Sequence, residues 1–339
     1  MPTVSDIEGI GKTVTDKLAT IGITEVDELA SVDIKTLVSA GISEGRAKGY
    51  IEKAQNHRVK NSLFKSGKEA LASRKRVKKL TTNVPEINDL LGGGIETNSI
   101  TEFYGEFGSG KSQFVHQLAV NTMLPVEKGG LDGYVLWVDT ERTFRPESRF
   151  AEMVRGVEKI HGIKMDVDEC IDHLIIATPM SVAEQVKVVE QSFEIARDMA
   201  KERKHIRMII VDSLTSNFRA EFCGREQLPE RQQTLLRHMT TLYKFSEEFD
   251  AVAIVTNQVQ SNPAVFFGDP MKPIGGNIVG HTSKSRLALR RGKKGSRVLK
   301  LVDSPDRPDG EALFWITTEG IIPYDWKTSA DADPEWGEE

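Results

Sequence analysis

The chain has 339 residues, 39% of them hydrophobic, and a formal net charge of −5. That length and apolar content suffice for at least one full core and predict two domains. No apolar run approaches the roughly 20 residues of a membrane span, and the opening residues MPTVSDIEGIGK hold no signal-peptide stretch. The expectation is a soluble cytoplasmic protein with no membrane partner.

Charge is unevenly distributed. Residues 325–339 carry six acidic groups against one Lys, residues 61–79 seven Lys or Arg against one Glu, and residues 281–300 eight Lys or Arg with no acid. Such basic blocks can face phosphates even in an acidic chain, although a solvated surface is the plainer meaning of any one block. Cys170 and Cys223 stand far apart without Cys or His neighbours at metal-ligand spacing, which predicts free thiols.

In chain order, residues 1–60 read as short helical segments punctuated by glycine and form the first predicted domain. Ile7-Glu8-Gly9-Ile10-Gly11, followed by a helical pattern through Val14 and Leu18, predicts a helix-hairpin-helix. Gly9 and Gly11 permit a tight turn whose N–H groups meet a DNA phosphate without reading sequence. A looser copy lies at 40–47, and a purely structural or protein-docking bundle is the alternative. Residues 61–80 read as a basic linker, 81–325 as an α/β domain, and 326–339 as an acidic tail expected to be disordered.

Within 81–325, short apolar runs at Tyr134–Val138, His173–Ala177, Met208–Val211 and Ala251–Val255 alternate with helical patterns such as Val182–Arg203 and Pro229–Phe249. This alternation predicts a mostly parallel central sheet. Arg286–Arg290, Arg297–Val302 and Ala312–Thr317 are expected to extend it as antiparallel strands.

The residues Gly105, Glu106, Phe107, Gly108, Ser109, Gly110, Lys111 and Ser112 fit G-x-x-x-x-G-K-[ST], with Gln113 next. They lie between the β-branched and aromatic run Ser99–Tyr104 and a pattern expected to form an amphipathic helix, with Phe114, Val115, Leu118, Ala119, Thr122 and Met123 at helical spacing. Glycines let successive amides point at phosphates while the helix N-terminus faces the same anion. Lys111 is the expected ligand of the β- and γ-phosphates and Ser112 of Mg²⁺. Asp212 ends the strand Met208–Val211 where a second Mg²⁺ element belongs. Asp139-Thr140-Glu141 ends another, making Glu141 the candidate for activating water, and Asn257-Gln258 ends a third, where a polar side chain can sense the γ-phosphate.

With these strand ends identified, the chain resembles the RadA recombinases of archaea, relatives of RecA and the eukaryotic strand-exchange proteins. The matching segments are LLGGGIETNSITEFYGEFGSGKSQ at 90–113, VDTERTFRPE at 138–147, VDSLTSNFRAEFCGREQLPERQQ at 211–233 and TNQVQSNPAVFFGDPMKPIGGNIVGHTS at 256–283. The resemblance implies a RecA-like P-loop ATPase core behind a small all-α helix-hairpin-helix domain. It also implies a nucleoid-associated enzyme that uses ATP and Mg²⁺ to form a helical filament on single-stranded DNA and exchange strands with duplex DNA. Other recombination proteins are implied as partners.

By motif, Lys111, Glu141 and Gln258 are the implied catalytic residues, with Gln258 coupling the γ-phosphate to a second DNA loop from about Val259 to His281 that includes Gly275, Gly276 and Asn277. The first DNA loop is expected over Phe218–Arg231, with Arg219, Arg225 and Arg231 as phosphate ligands. Asp303 is implied beside a K⁺ ion, and Pro305 and Pro308 as a cap over the neighbouring subunit's ATP. Phe64 and Gly67 correspond to a Phe-x-x-Ala polymerisation anchor. Two positions depart from the family pattern: Gly67 replaces the Ala, which weakens the latch further if the segment pairs as a strand, and Ser148 replaces an adenine-side Arg, leaving Arg149 one position late. The same motifs are compatible with an accessory paralogue that binds DNA and a partner recombinase, or with a ring-forming motor ATPase.

Overall fold

The structure, a computed structural model, describes residues 2–59, 64, 66–261 and 271–327. The predicted tail from 328 onward, most of residues 60–65 and the middle of the second predicted DNA loop lie outside the described residues. The chain divides into two compact units, Met1–Arg76 and Val77–Glu339.

In the first unit α1 (Lys12–Thr20), α2 (Val26–Ser31), α3 (Ile34–Ser39) and α4 (Glu44–Arg58) surround a small core containing Leu18, Val26, Leu29, Leu37, Ala47 and Ala54. Asp33 caps α3 by accepting the Thr36 N–H at 3.0 Å. A fifth helix, α5 (Gly67–Lys75), opens with a capping box in which Ser66 accepts from Glu69 N and Glu69 accepts from Ser66 N. Gly67 is therefore the first residue of a helix here rather than part of a strand. Phe64 is 79% exposed.

The second unit begins with β1 (Lys79–Leu80), α6 (Pro85–Leu90) and β2 (Ile95–Glu96), the two strands pairing antiparallel. There follow β3 (Ser99–Gly105), α7 (Lys111–Met123), β4 (Tyr134–Asp139), α8 (Ala151–His161), α9 (Val167–Asp172), β5 (Leu174–Ala177), α10 (Val182–Lys201) and β6 (Ile206–Asp212). Next come α11 (Ser216–Glu221), α12 (Leu228–Glu248), β7 (Val252–Ser261), β8 (Met271–Pro273), α13 (Gly276–Thr282), β9 (Ser285–Arg291), β10 (Arg297–Asp303), β11 (Gly310–Thr317) and β12 (Gly320–Pro323). The sheet order is β12-β11-β10-β9-β3-β7-β6-β4-β5.

Strands β9 through β5 in that order run parallel, and β10, β11 and β12 are antiparallel additions. The expectation of an antiparallel extension from Arg286 onward is thus corrected at its first strand. β9 follows α13, and a helical crossover of this kind returns the chain parallel to β3.

Side-chain alternation divides the apolar core between the two sheet faces. Phe103, Trp137, Met208 and Leu287 pack with Phe114 of α7 and Met153 of α8 on one side. Leu136, Ile209 and Val211 pack with Val189 of α10 and Leu235, Met239 and Phe245 of α12 on the other. Every residue of α7 from Phe114 to Thr122 is buried, so this helix is enclosed rather than amphipathic. Its polar positions are paired inside: Gln117 donates to Asn121 at 3.1 Å, and Asn121 to the Thr81 carbonyl at 2.8 Å.

Two segments expected as loops carry regular structure. The second predicted DNA loop starts inside β7, which continues to Ser261 and pairs antiparallel with β8 through Val259↔Pro273 and Gln260↔Lys272, and it ends as α13. The first predicted loop contains α11 and the first turn of α12, and Phe218 is core rather than loop. Both contain enough backbone pairing and apolar anchoring to override their Gly, Pro and Asn content.

Candidate nucleotide and DNA site

Parallel pairing brings the sequence-predicted groups together at the carboxyl ends of the strands. Gly105 of β3 lies opposite Gln258 of β7, and Asp139 of β4 opposite Asp212 of β6. At Gly105 a Cβ would sit 2.2 Å from the Leu289 carbonyl oxygen, so the turn out of β3 accepts no side chain. Gly110 caps α7 with φ +104°, a left-handed conformation that a side chain rarely adopts.

Lys111 Nζ donates to the Gly105 and Glu106 carbonyls, both at 2.9 Å. Burial lowers its pKa, while the charges of Asp212 and Glu141 oppose that shift. The ammonium therefore lies within the field of both carboxylates. Asp212 is buried and accepts from the Thr256 hydroxyl through Oδ1, whereas its Oδ2 has no partner among the described residues. Burial raises its pKa to about 6, against the opposing effect of the Thr256 and Ser112 hydroxyls. A buried carboxylate oxygen without a well-formed hydrogen bond, with the Ser112 hydroxyl beside the same carboxylate, suits a cation ligand, so the residues present fit Mg²⁺.

Glu141 is exposed, and its Oε1 accepts from Gln258 Nε2 at 2.9 Å. Gln258 Oε1 accepts from Arg219 of α11 at 2.7 Å. The adjacent Asn257 is fully buried: its Nδ2 donates to Glu102 Oε1 at 2.8 Å and to the Ile274 carbonyl at 2.5 Å, and its Oδ1 accepts from Thr215 at 2.9 Å. Glu102 is also buried and paired with Arg286 at 2.8 Å.

Of the remaining predicted residues, Phe107 is 96% exposed at the tip of the phosphate loop, while Ser109 is buried. Arg231 is half-buried in the first turns of α12, Asn277 is exposed in α13, and Gly275 caps α13 with φ +90°. The Arg225 backbone lies in a short 3-10 turn before α12. Asp303 ends β10 exposed, with Pro305 and Pro308 exposed just beyond it. In the first unit Gly9 has φ +91°, Gly11 caps α1, and Lys53 Nζ donates to the Glu8 carbonyl at 2.8 Å beside that turn.

The late Arg149 is accounted for by a π-helical turn over Pro146–Phe150. A π turn takes up one residue more than an α turn. Arg149 then reaches the first turn of α7, donating to Gln113 Oε1 and to the Thr318 carbonyl. Thr256, Asn257's buried partners and this turn escaped the sequence reading. Parallel register was the available signal for Thr256, since Val211 pairs with Val255 and their successors are Asp212 and Thr256.

A phosphate loop joining a parallel strand to a helix, with carboxylates at the ends of neighbouring parallel strands, defines a P-loop NTPase with a RecA-like core. The chain belongs to the Rad51 family, whose profile matches residues 73–324. It is 47% identical over 321 residues to the DNA repair and recombination protein RadA of Methanoculleus marisnigri. Identity is 45% over 325 residues to the protein of that name from Methanocorpusculum labreanum, and 43% over 339 residues to that from Halobacterium salinarum. Each comparison covers 94% of this chain and 98% of the relative.

Proposed function

We infer that this protein is an ATP-dependent DNA recombinase that assembles on single-stranded DNA and catalyses homologous pairing and strand exchange in DNA repair. The observation that carries the reading is the hydrogen-bonded series Glu141, Gln258, Arg219, which joins the phosphate-loop end of the sheet to the first predicted DNA loop. Near full-length similarity to proteins named DNA repair and recombination protein RadA supports it.

In this mechanism the loop amides of residues 105–112 and Lys111 bind the ATP phosphates. Ser112 and Asp212 hold Mg²⁺, which when bound supplies charge that offsets the negative phosphates. Thr256 fixes the rotamer of Asp212. Glu141 accepts a proton from the attacking water, and Gln258 reports the γ-phosphate to the segment beyond β7. Gln113 and Arg149 line the adenine side of the site.

Arg219, Arg225 and Arg231 bind DNA phosphates from the first loop and Gly275, Gly276 and Asn277 from the second, with Gly9 and Gly11 offering backbone N–H groups. Phe64 anchors a subunit in its neighbour, helped by Gly67. The exposed Pro305 and Pro308 cover the neighbour's nucleotide, and Asp303 contributes to a K⁺ site. DNA held in this way is bound without base readout and with steep salt dependence.

The direct test incubates purified protein with ATP, Mg²⁺, a single strand and homologous duplex. Joint molecules that require homology and ATP are expected. Unwinding of non-homologous duplex, or DNA binding without pairing, overturns the reading.

A further inference from the structure

Gln258 is held at both ends by charged groups of opposite sign. Its amide oxygen receives the Arg219 guanidinium at 2.7 Å, and its amide nitrogen donates to the Glu141 carboxylate at 2.9 Å. Arginine can only donate and an ionised carboxylate can only accept, so these two neighbours dictate the orientation of the amide. Arg219 is exposed on α11, and no carboxylate lies within 4.0 Å of its guanidinium among the described residues. An anion arriving from solvent can therefore reach the guanidinium and compete for it.

The pairing also occupies the groups that the reaction needs. While Gln258 donates to Glu141, one oxygen of that carboxylate and one N–H of the amide are engaged with each other. We propose that Arg219 is a positioning residue that acts through Gln258: it holds the amide on Glu141 in the absence of DNA and releases it when a DNA phosphate takes the guanidinium. Ion-to-ion hydrogen bonds are stronger than a guanidinium bond to a neutral amide, so a phosphate wins that competition. DNA-dependence of ATP turnover thereby resides in one side chain. This proposal rests on the reading of Glu141 and Gln258 given above, and it adds to Arg219 a function that a phosphate ligand alone lacks.

The test uses the full chain with ATP and Mg²⁺, measuring kcat and KM for ATP hydrolysis with no DNA and with saturating oligo-dT, for wild type, Arg219→Gln and Arg219→Lys. DNA affinity is followed by fluorescence anisotropy. In Arg219→Gln the DNA-free kcat is expected to rise roughly three- to tenfold, the factor associated with losing one such hydrogen bond. KM stays unchanged and the stimulation by saturating DNA contracts toward one. Arg219→Lys, which keeps a cationic donor, returns part of the low DNA-free rate.

A DNA-free kcat equal to or below wild type, with stimulation retained at saturating DNA, overturns the proposal and leaves Arg219 a phosphate ligand. A Glu141→Gln control separates this failure from failure of the site reading. Normal turnover in that variant removes Glu141 from the reaction, whereas lost turnover there with an unresponsive Arg219→Gln removes only the latch.

Discussion

Asn257 and Gln258 are consecutive at the end of β7 but take part in different kinds of structure. Alternation along the strand sends them to opposite faces. Asn257 enters a fully buried group with Glu102, Thr215 and the Ile274 carbonyl, and Glu102 in turn pairs with Arg286. Gln258 enters a group at the surface with Glu141 and Arg219. The buried group ties the start of the α11 segment and the strand-to-helix turn before α13 to the centre of the sheet. Breaking it would strand a charge in a dry interior, at a cost of several kcal/mol. The surface group exchanges partners with water at about 1 kcal/mol per hydrogen bond. One residue of separation thus distinguishes a fixed point from a part able to respond to ligands.

The largest expected effect tests the surface group. Glu141→Gln preserves size and hydrogen bonding but removes the proposed base, so single-turnover ATP hydrolysis should fall about 10²- to 10⁴-fold. ATP affinity and the urea unfolding midpoint should hold, as is usual for an exposed substitution. A marked loss of stability would show that the surface group also carries structure, and the contrast with Asn257 would fail.

The complementary change is Glu102→Gln, which leaves the Arg286 guanidinium without its buried counter-charge. Equilibrium urea unfolding should report a loss of about 3–5 kcal/mol. Unchanged stability would place Asn257 and Glu102 with the adaptable groups.

A smaller effect marks how far the fixed region extends. His238 of α12 packs against Phe218 at 6.2 Å between ring centroids and contacts Gln185, whose amide donates to the Leu214 carbonyl. Burial lowers its pKa to about 4 from an ordinary 6.5. Above pH 6.5 the ring is neutral in both folded and unfolded chains. Below that, the unfolded chain takes a proton that the folded chain refuses, so stability declines until pH approaches 4, by about 3 kcal/mol in all. His116 of α7, likewise lowered to about 4 by burial, adds to the slope, while Asp212, raised to about 6 by burial, opposes it below pH 6 without cancelling the two histidines. Unfolding midpoints measured from pH 7 to 5 should fall in wild type and fall less steeply in His238→Gln. An identical slope would assign the titration elsewhere and leave α12 outside the fixed region.

The phosphate loop was legible because its chemistry is local: glycines, a lysine and a serine at set spacing, between a β-branched run and a helical one. Asp212, Glu141 and Gln258 were legible as polar residues closing apolar strands. Thr256 was not, because its importance comes from lying beside Asp212 on a parallel neighbour, a relation between strands 44 residues apart. Arg149 is one position late against the family motif, and the π turn at Pro146–Phe150, which takes up one residue more than an α turn, is a matter of backbone pairing that motif spacing does not show. The strand at β8 was hidden in a Gly- and Pro-containing segment, since pairing with β7 supplies hydrogen bonds that local propensity does not reveal.

The sequence by itself determined that this chain folds a nucleotide-binding α/β core preceded in sequence by a glycine-punctuated helical unit, because strand, turn and helix periodicities and the phosphate-loop spacing are properties of neighbouring residues. Only the tertiary structure decided which strand-end groups meet. Parallel register placed Gly105 beside Gln258 and Asp139 beside Asp212, burial left Asp212 with one unsatisfied oxygen, and packing brought Arg219 onto Gln258. Those contacts join residues distant in sequence, and it is closure of the sheet with its helices that sets them.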